Sequence, residues 1–346
     1  MIPVFDGHND FLQRVVTGGT GVWLDGDGTG HLDLPRARAG GMIGGFFAIW
    51  IPSPQGPNDS AAVALMENPP FAMPLPEQIP FAQALPHAFA QAAALKALER
   101  TGTLDIVTTA RGIRETVAAG RIAAIMHMEG AEAISDMDAL HLWHAAGLRS
   151  LGPVWSRPTA YGHGVPFAFP SSPDTGPGLT DVGRALVGEC NSLRIMLDLS
   201  HLNEAGFNDV AHLSDAPLVA SHSCVHAISE SSRNLTDRQL QMIADSRGLV
   251  GLNFASSFLR ADGRRLPLEG LDTMLRHLDH LLEILGEDGV ALGSDFDGAL
   301  MPRDLPDAAA LPALPAAMKA HGYDAALIRK IASENWIGLL ERTWGE

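Results

Sequence analysis

The chain has 346 residues, 46% of them hydrophobic and 18% charged, the make-up of a cored globular protein rather than a disordered one. Its 24 basic against 40 acidic side chains give a net charge of −16, which argues against nucleic acid and anionic membranes as partners. Two cysteines, no run of 18 apolar residues and no basic-then-apolar leader are found in the sequence, so a cytoplasmic protein without disulfide scaffold or membrane span is expected.

Apolar runs bounded by turn residues alternate with helical patterns, which predicts βα units around a parallel sheet. Strands are expected at 3–7, 45–51, 121–127 and 148–154, then at 194–199, 217–221, 248–253 and 289–293. Eight strands in a chain of this length predict an α/β fold of the closed (β/α)8 TIM-barrel type in a single domain, residues 1–346. Helix ends are marked by Asn203 or Asp198-Leu199-Ser200 ahead of 204–213, Thr236 or Asp237 ahead of 238–244, and Gly286 after 271–285. A last helix over 324–342 is expected to pack on the outside. Between Pro52 and Pro86, nine prolines break the rhythm; this reads as an insertion after the second strand, over the barrel mouth.

A barrel places its chemistry where strands end. The first strand runs into His8 and Asp10, spaced so that both can converge on one point, a partial ligand set for a divalent metal. The third ends at Glu129, the fifth at His201, the sixth at His222, and the eighth at Asp295-Phe296-Asp297-Gly298. Singly, each has a plainer reading: a hydrogen-bonded loop histidine, a helix-start acid, a turn aspartate. Together they exceed what one tetrahedral zinc needs, and a glutamate can bridge two metals with its two oxygens. Paired metals point to hydrolysis of an amide, ester or phosphoester. No phosphate loop, dinucleotide fingerprint or nucleophile elbow competes.

These residues resemble the membrane (renal) dipeptidase family of zinc peptidases, within the amidohydrolase-type barrels. The likeness covers nearly the whole chain, through Asp6-Gly7-His8-Asn9-Asp10, Glu129-Gly130, Asp198-Leu199-Ser200-His201 and Ser221-His222-Ser223. It continues in Ser232-Arg233-Asn234-Leu235, Gly293-Ser294-Asp295-Phe296-Asp297-Gly298 and Ala332-Ser333-Glu334-Asn335-Trp336. The resemblance implies two zinc ions, or other divalent metals: one on His8 and Asp10, one on His201 and His222, with Glu129 bridging. It implies Asp295 as general acid/base, with Asp297 the local competitor, and Arg233 as binder of the substrate's C-terminal carboxylate.

One departure stands out. Trp155 occupies the place where animal-type members carry a substrate-contacting histidine, and tryptophan offers a single N–H donor. His163 in the same loop could reach in its stead; the plainer reading is a loop histidine with no role. His127, His212, His226, His277 and His280 are read as structural or solvent-facing. The expected activity is hydrolysis of dipeptides with a free carboxylate and either stereochemistry at the second residue, through a hydroxide bridging two zinc ions. The alternatives are a related hydrolase of N-acyl amino acids or lactones, and a catalytically silent barrel kept as a binding protein. The partner is a small dipeptide; a homodimer is left open.

Overall fold

The computed structural model describes residues 1–53 and 59–345, the side chains of 59–61 excepted. Eight parallel strands follow the predicted order: β1 (Val4–Asn9), β2 (Met42–Trp50), β3 (Ile122–Glu129), β4 (Leu148–Gly152), β5 (Met196–Leu197), β6 (Val219–Ser223), β7 (Leu249–Asn253) and β8 (Val290–Gly293). Strands β1 to β5 pair in sequence, and a short strand, Leu104–Ile106, lies beside the start of β3. Strands β6, β7 and β8 form a second sheet. Single parallel bridges, Asp198 with Val219 and Asn9 with Phe296, join the two. The result is a curled, half-barrel sheet of parallel strands with helices on its outer face.

The inner and outer faces separate by alternation. On β3, Ala123 and Ile125 point inward, with His127 and Glu129 continuing the same face, while Ala124, Met126 and Met128 belong to the outer core. The inner floor is built from Phe5, Phe46, Ile125, Met196, Val219, Leu249 and Ala291. These residues lie toward the strand beginnings, so the strand ends are left for polar groups.

The last helical segment departs from expectation. It is broken by a π turn at Lys330–Glu334, between helices Ala325–Arg329 and Asn335–Trp344. Trp336 does not lie on the outside. Its indole is fully buried against the inner floor, 4.9 Å from the Phe46 ring, and donates to the Leu292 carbonyl at 2.8 Å. A Cβ on Gly7 would stand 2.6 Å from that ring, so β1 requires glycine there.

The Pro52–Pro86 stretch falls partly on residues 54–58, outside the described residues. The rest is more ordered than a loop. Phe71–Ala72 pairs antiparallel with Ala168–Phe169, and a helix over Phe81–Glu99 absorbs Pro86 in its early turns. Among the described residues no helix is long and apolar enough to cross a membrane.

Candidate metal centre

The polar strand ends meet in one buried cluster around Glu129. The β1–β2 register slips between Asp6 and Asn9, which resets the alternation just before His8. Glu129 Oε1 lies 2.9 Å from His201 Nε2, 3.4 Å from His222 Nε2 and 3.7 Å from His8 Nε2. His8 Nε2 in turn is 3.7 Å from Asp10 Oδ1. The rings of His8 and His222 stack at 3.8 Å between centroids.

Two donor groups share the glutamate: His8, Asp10 and Glu129, and Glu129, His201 and His222. A third joins His8, His222 and Asp295; a fourth joins His8, His127 and Asp198. In each, the ligand atoms lie within 4.8 Å of one another. Both ring nitrogens of His8 and Oδ1 of Asp10 are buried without a hydrogen-bond partner. Buried polar atoms left bare in this way are costly, and imidazole with carboxylate is the donor set of zinc and its neighbours. The residues therefore fit a divalent metal.

The electrostatics agree. Burial pushes the Glu129 carboxyl well above its usual range, with Asp10 and Asp295 adding to the push against His8. Burial also depresses His201 and His222, reinforced mainly by Arg233 and His8, so both rings stay neutral. The neutral rings of His201 and His222 beside crowded acids are what a cation at this point would satisfy, and against burial the same acids raise the pKa of His8 to about 10.

Neighbouring groups fix the rings. Ser221 Oγ donates to Asp198 Oδ2 at 2.5 Å, so its lone pair accepts the His222 Nδ1 proton at 2.8 Å. That leaves Nε2 bare toward Glu129. Ser156 Oγ stands 2.8 Å from His201 Nδ1 and holds that ring by the same edge. Asp6 is held by the backbone N–H and hydroxyl of Ser294 at 2.7 and 2.9 Å, tying β1 to β8.

Asp295 and Asp297 both adopt left-handed backbone, with φ of 61° and 66°. Gly298 follows because a Cβ there would sit 2.0 Å from Asp10 Oδ2 and 2.3 Å from Asp295 Oδ1. Asp295 faces the cluster. Asp297 turns away, accepting from the His31 backbone at 2.6 Å and from Arg14 at 3.2 Å. Arg233 is buried; it donates to Ser223 Oγ and the His222 carbonyl, both at 3.1 Å, and its Nε has no partner. Trp155 is half-buried with its ring 5.9 Å from that of His201. His163 bonds the Gly178 carbonyl at 3.2 Å instead of joining the cluster.

Several members were not anticipated. His127 is buried with Nε2 3.5 Å from Asp198 Oδ2; its spacing two before Glu129 is the signal that places it on the same face. Asn253 at the end of β7 donates to Asp295 Oδ2 at 2.9 Å. Ser156 carries no comparable signal, and Ser221 only its place beside His222.

A parallel half-barrel with a buried histidine–carboxylate cluster at its strand ends defines a metal-dependent hydrolase. The chain belongs to the membrane dipeptidase family, peptidase family M19, whose model matches residues 1–343. It is an enzyme of the metallopeptidase class. Its structure is similar to that of a metallo peptidase from Rhodobacter sphaeroides liganded with a phosphinate mimic of the dipeptide L-Ala-D-Ala, at 62% identity and TM-score 0.97 over 99% of both chains. It is similar also to the metallo peptidase called dipeptidase AC, at 61% identity and TM-score 0.96 over 100% of this chain and 99% of that one. The probable dipeptidase PvdM from Pseudomonas aeruginosa shares the fold, at 23% identity and TM-score 0.82 over 99% and 96% of the two chains.

Proposed function

We propose that this enzyme hydrolyses the peptide bond of dipeptides bearing a free C-terminal carboxylate, at a centre for two zinc ions. The observation that carries this reading is Glu129, which belongs to both donor groups at once. On this reading His8 and Asp10 hold one ion, His201 and His222 the other, and Glu129 is shared. Other divalent metals suit the same donors. When bound, the ions polarise a carbonyl and make water more acidic.

The rest of the work falls to the chain. Asp295 accepts a proton from the attacking water and delivers it to the leaving amine. Burial holds its carboxyl above the ordinary value, which suits a group that must both take and give. Arg233 grips the substrate's carboxylate with N–H groups anchored by Ser223 and His222. Trp155 shapes the wall beside His201. A D-residue at the second position is part of the reading, in keeping with the L-Ala-D-Ala mimic held by the Rhodobacter sphaeroides protein.

The two sheets and their connecting bridges are read as one closed (β/α)8 barrel and a single domain. The Pro52–Pro86 stretch is read as its insertion at the mouth. Two buried free cysteines suit a cytoplasmic setting. The test is metal analysis together with a dipeptide library carrying L- and D-residues at each position. About two zinc per chain and release of free amino acids are expected. A protein without metal, or one loaded with metal and inert toward every dipeptide, would sink the reading.

A further inference from the structure

Four aromatic side chains form a continuous arc beside the cluster. Trp50 ends β2 in register with Glu129 on β3, so its indole rises from the same face of the sheet as that carboxylate. Trp50 meets Trp155 edge-on at 5.4 Å, and Trp155 meets Phe167 at 5.8 Å. Phe167 stacks on Phe258 at 6.2 Å, and the Arg233 guanidinium lies 5.7 Å over the Phe258 ring. The arc thus spans the distance between the shared glutamate and the buried arginine. A dipeptide anchored at Arg233 and cleaved at the cluster would lie along it.

The arc is rigid and still accessible. Gln91, buried on the Phe81–Glu99 helix, accepts from the Trp50 N–H at 3.0 Å and donates to its carbonyl at 2.6 Å, imitating a neighbouring strand. Behind Trp155, the Arg157 guanidinium lies 5.0 Å over the ring, itself held by buried Glu132 at 2.5 Å and Ser53 Oγ at 2.9 Å. Trp50, Trp155 and Phe167 each keep part of their surface open, and Trp50 Nε1 has no partner. Pre-set aromatic surface of this kind binds without an ordering cost.

We infer that this arc is the side-chain subsite of the enzyme and that it selects dipeptides with apolar side chains over acidic ones; the inference rests on the dipeptidase reading above. An apolar side chain laid along the arc loses unfavourable hydration. An acidic one gives up its water for at most the neutral Trp50 N–H, which does not offset the desolvation of a charge, because Arg157 is already paired and Arg233 takes the terminal carboxylate. It also faces the negative π surfaces of the rings. A lysine side chain is disfavoured less, since those faces attract cations.

The test uses zinc-loaded protein and phosphinate pseudodipeptides carrying Ala, Leu, Lys or Asp at each position, with dissociation constants measured by calorimetry. Binding of the Leu member at least about tenfold tighter than the Asp member is expected. In Trp155→Ala the gap should shrink to within about threefold with metal content unchanged, and Trp155→Phe should restore it. Equal binding of Leu and Asp members by the unaltered protein, or a gap untouched by Trp155→Ala, overturns the inference. Hydrolysis of the matching dipeptides is followed separately. Inertness toward all of them would defeat the dipeptidase reading, while the titration alone decides the arc.

Discussion

Asn253 Nδ2 donates to Asp295 Oδ2 at 2.9 Å, and the direction of that bond is fixed from the other end of the same amide. Asn253 Oδ1 accepts the Ala255 N–H at 2.6 Å, so the amide cannot turn over. The carboxylate of Asp295 is therefore aimed by β7 as well as by its own left-handed turn. Asn253→Ala should lower kcat by roughly 10–100-fold while KM and metal content hold, the usual cost of removing a group that orients a site. Steady-state kinetics beside metal analysis would read it, and an unchanged kcat would remove Asn253 from the account.

The two aspartates of the β8 turn separate cleanly by what they touch. Asp295→Asn should cost about 10²–10⁴ in turnover with the metal retained, the range for loss of a general acid/base. Asp297→Asn weakens the contacts to Arg14 and the His31 backbone and should destabilise the fold by about 1–3 kcal/mol with turnover largely kept. Kinetics and chemical denaturation of both variants would reverse the roles if the two effects came out exchanged.

Arg233→Lys keeps a charge but loses the planar fork. Its KM for dipeptides should rise roughly 10–100-fold, in line with losing a hydrogen bond to a charged group. Amide-capped substrates, which lack the carboxylate, should show little further loss. An equal penalty on both would mean the arginine supports the fold and not the substrate.

Removing the metal should loosen the whole chain. The cluster buries both nitrogens of His8 and Oδ1 of Asp10 without protein partners, so an occupying ion stabilises the folded state alone. Chelation should lower the thermal midpoint by about 5 °C or more, and zinc should restore it. A midpoint indifferent to both additions would speak against occupancy.

His277, whose partners are backbone groups and not the proposed ligands, predicts the acid limb of stability. Its Nδ1 accepts from the Val225 N–H at 3.1 Å and its Nε2 faces the Leu259 carbonyl at 3.0 Å, a pattern only the neutral ring satisfies. Burial, against the Leu259 bond and aided by Arg276 and His280, lowers its pKa to about 4. In the unfolded chain the ring titrates near 6.5, so between those values the unfolded state carries the extra proton and stability rises with pH. About 3 kcal/mol should be lost as pH falls through that window and none above it. His277→Gln should flatten this slope in urea denaturation at stepped pH; an unaltered slope would assign it elsewhere.

The fold was largely legible because each inner strand is an apolar run long enough to register. Even β5, only Met196–Leu197 as a paired strand, sits inside such a run. The pairing of Phe71–Ala72 with Ala168–Phe169 was not legible, since two residues carry no period. At the centre, His8, Asp10, Glu129, His201, His222 and Asp295 stood out as polar groups ending apolar strands, and all six meet. His127, read as structural or solvent-facing, is buried, and its alternation with Glu129 accounts for its place beside the cluster. Asn253 and Ser156 could not be found this way, because each acts across to a neighbouring strand's end and only the pairing of those strands brings the partners within reach. Trp336 misled for a related reason: a helix pattern shows an apolar face but not which cavity receives it.

The seat of that indole has a consequence for how the chain folds. Phe5 and Gly7 meet the Trp336 that caps the floor beneath them across more than 300 intervening residues. Contacts of such sequence separation form late and slowly. Until that contact closes, the folding chain has its ligands but an open base beneath them. A chain interrupted before Trp336 would thus keep every proposed ligand and lose the floor beneath them.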